Sequence, residues 1–406
     1  MFVRIGNTPR DYAWGSTTAM AGLLGTKPSG GPEAELWLGA HPGSASTILD
    51  PAQTGGARDL AEWTSRNPQH SLGAGRTQLP YLLKVLAAAG PLSLQAHPST
   101  AQAEAGFARE NAAGIPLDSP ERNYKDAVHK PEVIFALSDP FVALCGFRAV
   151  TASEAVLRGL ADKANEGDRA AIAVFADTLA GDPSTVLRRA TEWLLGGDPA
   201  VERLVSAVVA TSQSVPADPT GDDLAVAADT VRMLAAAFPG NPGIVLALLL
   251  NRVSLHPGQV LYLPAGNIHA YLHGLGIELM AASDNVLRGG LTPKRIDVPE
   301  LVSVLDFSPN DPAPLAAEKP APGVEVFRPD VPDFRLEHVV VGASVPSARV
   351  SVAGAAIALC TAGALTVEGA SGRIGVARGE SVFVTPDEGE LTVTGDGTLF
   401  IASPNA

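Results

Sequence analysis

The feature that most limits the fold is a change of texture near residue 150 that reverses near residue 253. Before it, short apolar runs such as "AELWLGAHP", "YLLKVLAAAGPLSLQAHP" and "PEVIFAL" are separated by Gly and Pro, the mark of strands and turns. The helical exception is "PSTAQAEAGFARENAAG". Between them and the later β texture lie "TASEAVLRGLADKANEG", "STVLRRATEWLLGG", "AVERLVSAVVATS", "DDLAVAADTVRMLAAAF" and "GIVLALLLNRV", each of helix length and ending near Gly or Pro. The first opens with Thr151 and Glu154 at capping-box spacing, and Val156, Leu157 and Leu160 form its apolar stripe. Strand texture resumes with "SLHPGQVLYLPAGNIHAYLHG". The Pro-rich stretch 306–323 reads as a linker or crossover, and many short β-type runs follow it, as in a small antiparallel jelly roll. The chain therefore divides into a β unit from residues 1–150 plus 253–316, a helical insertion over 151–252, and a C-terminal jelly roll over 317–406.

Composition narrows the partners. A net charge of −14 argues against nucleic acid or an anionic membrane, while a local basic pocket can still hold a small anion. Cys145 and Cys360 both lie in apolar surroundings and read as two buried free thiols. The N-terminal stretch lacks the apolar core of a signal peptide, and "IVLALLL" is too short to span a bilayer, so a cytoplasmic protein is expected.

Within the first β unit, "PLSLQAHPST" places Gln95 and His97 two residues apart on an apolar strand, hence on one face. Buried polar groups without partners cost roughly 1–3 kcal/mol each, so something must sit between them. The spacing of Gly258, Pro264, Gly266 and His269 resembles the second conserved box of cupin barrels, whose histidine points inward to a metal. Gln95–His97 would then stand where cupins usually carry two histidines. "AVHKPEVIFAL" offers Glu132 at the head of a strand, sharing a face with Lys130, while His129 points the other way. Gln95, His97, Glu132 and His269 make a mixed N/O set that suits Zn²⁺; Mn²⁺, Fe²⁺ and Co²⁺ also fit chemically. A weak internal echo, "HPGQVLYLPAG" against "ARGESVFVTPD", carries a histidine only in its first copy, so the C-terminal jelly roll is expected to be metal-free.

The run "HAYLHGLGIELMAASDNVLRGGLTPK", residues 269–294, sets His269, Tyr271, Glu278, Asp284, Asn285, Arg288 and Lys294 among small and apolar residues. A guanidinium fork at Arg288 and an ammonium at Lys294 in one loop are natural phosphate holders. This run resembles the signature of the type I phosphomannose isomerases throughout, with Gly289 where the family usually has Ala. A second family box appears as "YKDAVHKPE" at 124–132, with Val128 in place of the usual Asn, which removes a hydrogen bond behind the ligands. "PLSLQAHP", "YLLKVL", "AELWLGAHP" and "YAWGS" match the family's texture over roughly residues 1–300.

The resemblance implies a mainly β fold: a cupin jelly-roll catalytic barrel with an inserted α-helical domain and a second C-terminal jelly-roll domain. It implies reversible isomerisation of mannose 6-phosphate and fructose 6-phosphate, with one zinc ion per chain on Gln95, His97, Glu132 and His269. Arg288 becomes the essential active-site cation, and Ser93, Lys84, Lys130, Tyr271, Glu278, Asp284 and Lys294 line the pocket. Glu278 and Lys130 are both candidates for the base. The partner is a small sugar phosphate, with neither nucleic acid nor membrane; the oligomeric state is left open, a monomer being compatible. A non-catalytic sugar- or metal-binding cupin, or another metal-dependent cupin enzyme such as an Fe²⁺ oxygenase, is the alternative, and a coupled isomerase assay with metal analysis separates them.

Overall fold

The computed structural model describes residues 1–405. Its strands, through the first three-quarters of the chain, are β1 (Phe2–Gly6), β2 (Glu35–Leu38), β3 (Thr47–Ile48), β4 (Tyr81–Ala88), β5 (Leu94–Ala96), β6 (Glu132–Ala136), β7 (Phe141–Phe147), β8 (Leu250–Leu255), β9 (Val260–Leu263), β10 (His269–Ala281) and β11 (Leu287–Gly290). All pairings are antiparallel. One row runs β2–β4–β10–β6–β9 and another β11–β5–β10–β7–β8. The thirteen-residue strand β10 belongs to both rows. Its first residues pair with β5 and β7, and Gly274–Ala281 pair with β4. The switch falls at a register shift between Tyr271 and His273 and at Gly274, whose φ is +138°. A Cβ there would lie 2.9 Å from the Phe141 backbone, so only glycine allows this bend against β7.

Strand β4 is buried along its whole length. Tyr81, Leu83, Val85 and Ala87 join a core with Phe135, Ile277, Phe334, Ile357, Phe383 and Phe400, which welds the first barrel to the C-terminal one. The opposite face carries Leu86 and Ala88 into the barrel interior, with Ile134, Phe141, Leu261 and Tyr271. Lys84 shares that inner face by alternation. A second interior, rich in valine, fills the C-terminal unit from Val324 to Ile401. β1 does not extend the first barrel. It pairs with Ser381–Val384 and with β3, so residues 2–6 complete the C-terminal sheet; its alternating burial suits either sheet, and Val3 and Ile5 find the core between the two units. The two echo segments do adopt one geometry: Gly258 and Gly379 both have positive φ, each just before a strand.

Five helices, Val150–Lys163, Glu166–Asp177, Pro183–Leu195, Pro199–Ser212 and Asp223–Ala237, bury their stripes in one core with Leu94, Ala96, Val142, Leu144 and Leu287. They back the row of strands that carries Gln95 and Arg288. Asn165, Asp182, Asp198 and Asp222 cap the last four. Two expectations need correction here. Thr151 and Glu154 form no capping box: Val150 packs into the core, the helix starts there with Ala149 as its N-cap, and Glu154 pairs instead with Arg158 at 2.8 Å. "GIVLALLLNRV" is not one helix. It turns helically only to Leu249, then pairs with β7 as β8, because a short apolar run has no periodicity to separate the two states. The capping box of this chain lies at Ser99 and Gln102, where the helix Thr100–Ala112 leaves the strand of His97. Among the described residues no helix is long and apolar enough to cross a membrane.

One buried carboxyl of the C-terminal unit, Glu337, has a strongly shifted titration. Glu337 is fully buried, accepts from Arg335 Nε at 2.6 Å, and leaves its Oε2 without a partner. Burial, opposed by Arg335, pushes its pKa up to about 7. A raised folded-state pKa stabilises the fold fully below the ordinary value of 4.5, and that stability is lost as pH rises through 7. Urea unfolding at pH 5 and pH 8 should show a loss on the order of 3 kcal/mol at the higher pH, and Glu337→Gln should flatten that slope. A slope equal in the two proteins would remove the role.

Candidate metal centre and active site

Two rows of side chains meet inside the first barrel. Arg288 on β11, Gln95 on β5 and His269 on β10 stand opposite one another across three strands, and directly opposed residues share a face. Lys84 on β4 likewise stands opposite Glu278 on β10. His97 follows β5 by one residue, and Glu132 opens β6. His97, Glu132 and His269 are each at most 2% exposed, and one ligand atom from each lies within 4.8 Å of the others. The Nε2 atoms of His97 and His269 approach the two oxygens of Glu132 at 3.3 Å each.

The hydrogen bonds behind these rings decide what they can do. His97 Nδ1 lies 2.7 Å from the Asn285 carbonyl oxygen, and His269 Nδ1 lies 3.1 Å from the Asn267 carbonyl oxygen. Each Nδ1 must donate there, so each neutral ring presents the Nε2 lone pair. Burial, and next the charge of Lys130, pushes His97 down to about 4, which keeps it neutral. Burial would raise Glu132, but Lys130 and the two histidines outweigh it and hold the group well below the usual carboxylate range. Both Nε2 atoms and Glu132 Oε2 are buried without a hydrogen-bond partner. Two lone pairs and an anionic oxygen aimed at one point, all orphaned, fit a divalent cation.

Around this centre the charges alternate. Lys130 Nζ lies 3.2 Å from Glu132 Oε1, and His129 turns away to Asp333 at 2.7 Å. Lys84 Nζ donates to Glu278 Oε2 at 2.9 Å and sits over the Trp37 ring. Burial opposes the charge of Lys84, yet Glu278, Glu35 and Glu132 together raise its pKa. Glu278 is raised as well, first by burial and then by Glu132 and Glu35, against the pull of Lys84. Tyr271 keeps a buried hydroxyl without a partner, and burial raises its pKa. Ser93 is half-buried and immediately precedes β5, the strand of Gln95.

At the mouth, Arg288 is half-buried and burial lowers its pKa. Lys294 is exposed, and its pKa is lowered chiefly by the charge of Arg288. Among the described residues neither cation has a carboxylate partner. Two mutually repelling cations of this kind favour a dianion between them. Asp284 is half-exposed at the rim, where its Oδ2 accepts from His41 Nε2 at 3.2 Å.

The sequence sets Asn285 in the polar run 269–294 but does not show its role, which is to tie these parts together. The Asn285 side chain accepts from the Lys125 N–H at 2.7 Å and donates to the carbonyl oxygens of Asp126 and Val128 at 2.9 and 2.8 Å, while its own carbonyl orients His97. It is fully buried. It thus clamps the loop that delivers Lys130 and Glu132 to the strand that delivers His97. The Val128 N–H is satisfied by Asp126 Oδ1 at 2.9 Å, so Asp126 and Asn285 organise this loop without an Asn at 128. The one signal of Asn285 was an amide in the polar stretch "SDNVLR", with its partners some 160 residues away. Asn285→Ala should cost about 2–4 kcal/mol of stability and weaken metal retention about 10–100-fold in chelator competition. Unchanged metal affinity would leave Asn285 a role in loop stability alone.

Residues 2–150 match the family described as phosphomannose isomerase type I, catalytic domain. Over 400 residues the chain is 38% identical to the mannose-6-phosphate isomerase of Salmonella typhimurium, covering 97% of each. Over 423 residues it is 34% identical to that of Bos taurus, covering 97% of this chain and 96% of the relative. Among solved structures, a zinc-bound mannose 6-phosphate isomerase aligns over the whole of both chains with a TM-score of 0.86 at 36% identity.

Proposed function

The chain belongs to the type I phosphomannose isomerases, and on that premise we propose that Gln95, His97, Glu132 and His269 hold one zinc ion where mannose 6-phosphate and fructose 6-phosphate interconvert. The observation that carries this reading is the set of three orphaned ligand atoms beside two cations that have no carboxylate partner among the described residues. The reaction moves a proton between C2 and C1 through a cis-enediol. It needs a proton carrier, positive charge near the sugar oxygens, and a grip on the phosphate that aligns the reacting end. Bound zinc supplies the Lewis-acid charge at those oxygens. Arg288 places the substrate and stabilises charge forming on the sugar. Lys294 and Ser93 hold the phosphate, and Lys84, Tyr271 and Asp284 shape the pocket. Glu278 and Lys130 are the two candidates for taking and returning the proton; burial raises the pKa of Glu278, the direction that makes a carboxylate a better base. Two buried reduced thiols fit a cytoplasmic setting.

Metal analysis and a coupled assay test the reading together. About one zinc per chain and saturable conversion of mannose 6-phosphate to fructose 6-phosphate are expected. Full turnover by a metal-free preparation would overturn it.

A further inference from the structure

The helical block holds a cavity that the isomerase chemistry does not use. It measures about 470 Å³ and opens among the helices Glu166–Asp177, Pro183–Leu195 and Pro199–Ser212. Phe175 and Trp193 stack in its wall, with ring centroids 5.6 Å apart and planes 23° from parallel. Leu204 and Ala190 add buried apolar surface, and Val174 at the edge is 65% exposed. The Trp193 indole N–H is already satisfied, donating to Asp198 at 2.9 Å.

Two arginines line the same cavity. Arg189 donates to the Thr178 carbonyl oxygen and Arg203 to the Gly167 carbonyl oxygen, and neither has a carboxylate partner among the described residues. The net charge of the chain is −14, yet two guanidiniums without a carboxylate partner among the described residues stand beside this apolar cavity. The cavity has the size of a small-molecule site, and its apolar wall needs cover. The charge says what the cover carries. We propose that this cavity binds a small amphipathic carboxylate, its apolar body seated against Phe175 and Trp193 and its anionic head held by Arg189 and Arg203.

Dodecanoate titrated into the zinc-loaded full-length protein, followed by tryptophan fluorescence, tests this. A saturable change is expected that is absent in Trp193→Phe. The Arg189→Ala/Arg203→Ala double variant should bind about tenfold more weakly or worse, and uncharged dodecanol should be weakened to the same degree. Ala171→Trp, which fills the cavity, should abolish binding, with circular dichroism confirming its fold. All variants should keep full isomerase turnover, since none of these residues belongs to the metal centre. Equal binding by dodecanol and by the double variant would overturn the proposal, as would a signal that survives Trp193→Phe. Concentration-dependent dimerisation that Val174→Glu prevents would also overturn it, making the face an interface between copies of the chain.

Discussion

His269→Ala should fold, lose zinc affinity by on the order of a hundredfold or more, and lose isomerase turnover by at least about 10³-fold. His269 supplies one of the orphaned lone pairs and lies at the start of β10, where its Nδ1–H is fixed by the Asn267 carbonyl. Nothing else in the interior can replace that nitrogen. Tyr271, two residues on, has its hydroxyl buried with a raised pKa, and a neutral phenol is a poor ligand. The loss should appear as metal released on dialysis at a chelator concentration that leaves the parent loaded. Excess zinc should restore part of the rate if only affinity is damaged. A variant that kept both its zinc and its turnover would show that the ligand set is misassigned.

Arg288→Ala should behave in the opposite way. Its guanidinium has no carboxylate partner among the described residues, so its removal breaks no ion pair and should change stability little. Metal content should stay near that of the parent, because Arg288 supplies no ligand. The rate should nevertheless fall by about 10²–10³, the usual effect of removing one preorganised charge from a transition state. Arg288→Lys should recover only part of it, since an ammonium cannot offer the two-pronged donor set of a guanidinium. With the repulsion from Arg288 gone, Lys294 should also titrate at a higher pH, closer to its ordinary value. Loss of metal with unimpaired turnover on re-addition would assign Arg288 to structural support.

Much of this site could be read along short stretches. The two-residue period pairs Gln95 with His97 and Lys130 with Glu132; Gln95 lies on β5 and Glu132 opens β6, with His97 one residue past the first strand and Lys130 two residues before the second. The direction of His129, away from the site, follows from the same rule. What escaped is what depends on partners distant in sequence. Asn285 acts through bonds to residues 125–128, and no local pattern tells a clamping amide from a turn residue. Lys84 could be placed only by family likeness, because a lysine inside "YLLKVLAA" gives no hint of its carboxylate partner on β10. The helix start at Val150 moved because packing of one valine outweighed a local capping pattern. β1 joined the farther sheet because its alternation fits any half-buried edge.

That last pairing sets a timetable for biosynthesis. Phe2 lies opposite Val384, so hundreds of residues must be translated before the first strand meets its neighbour. At about 5–20 residues per second, the nascent β1 waits for tens of seconds with its backbone groups open to other chains. Shielding by a holdase during that interval will therefore alter the yield of native protein more than its final stability.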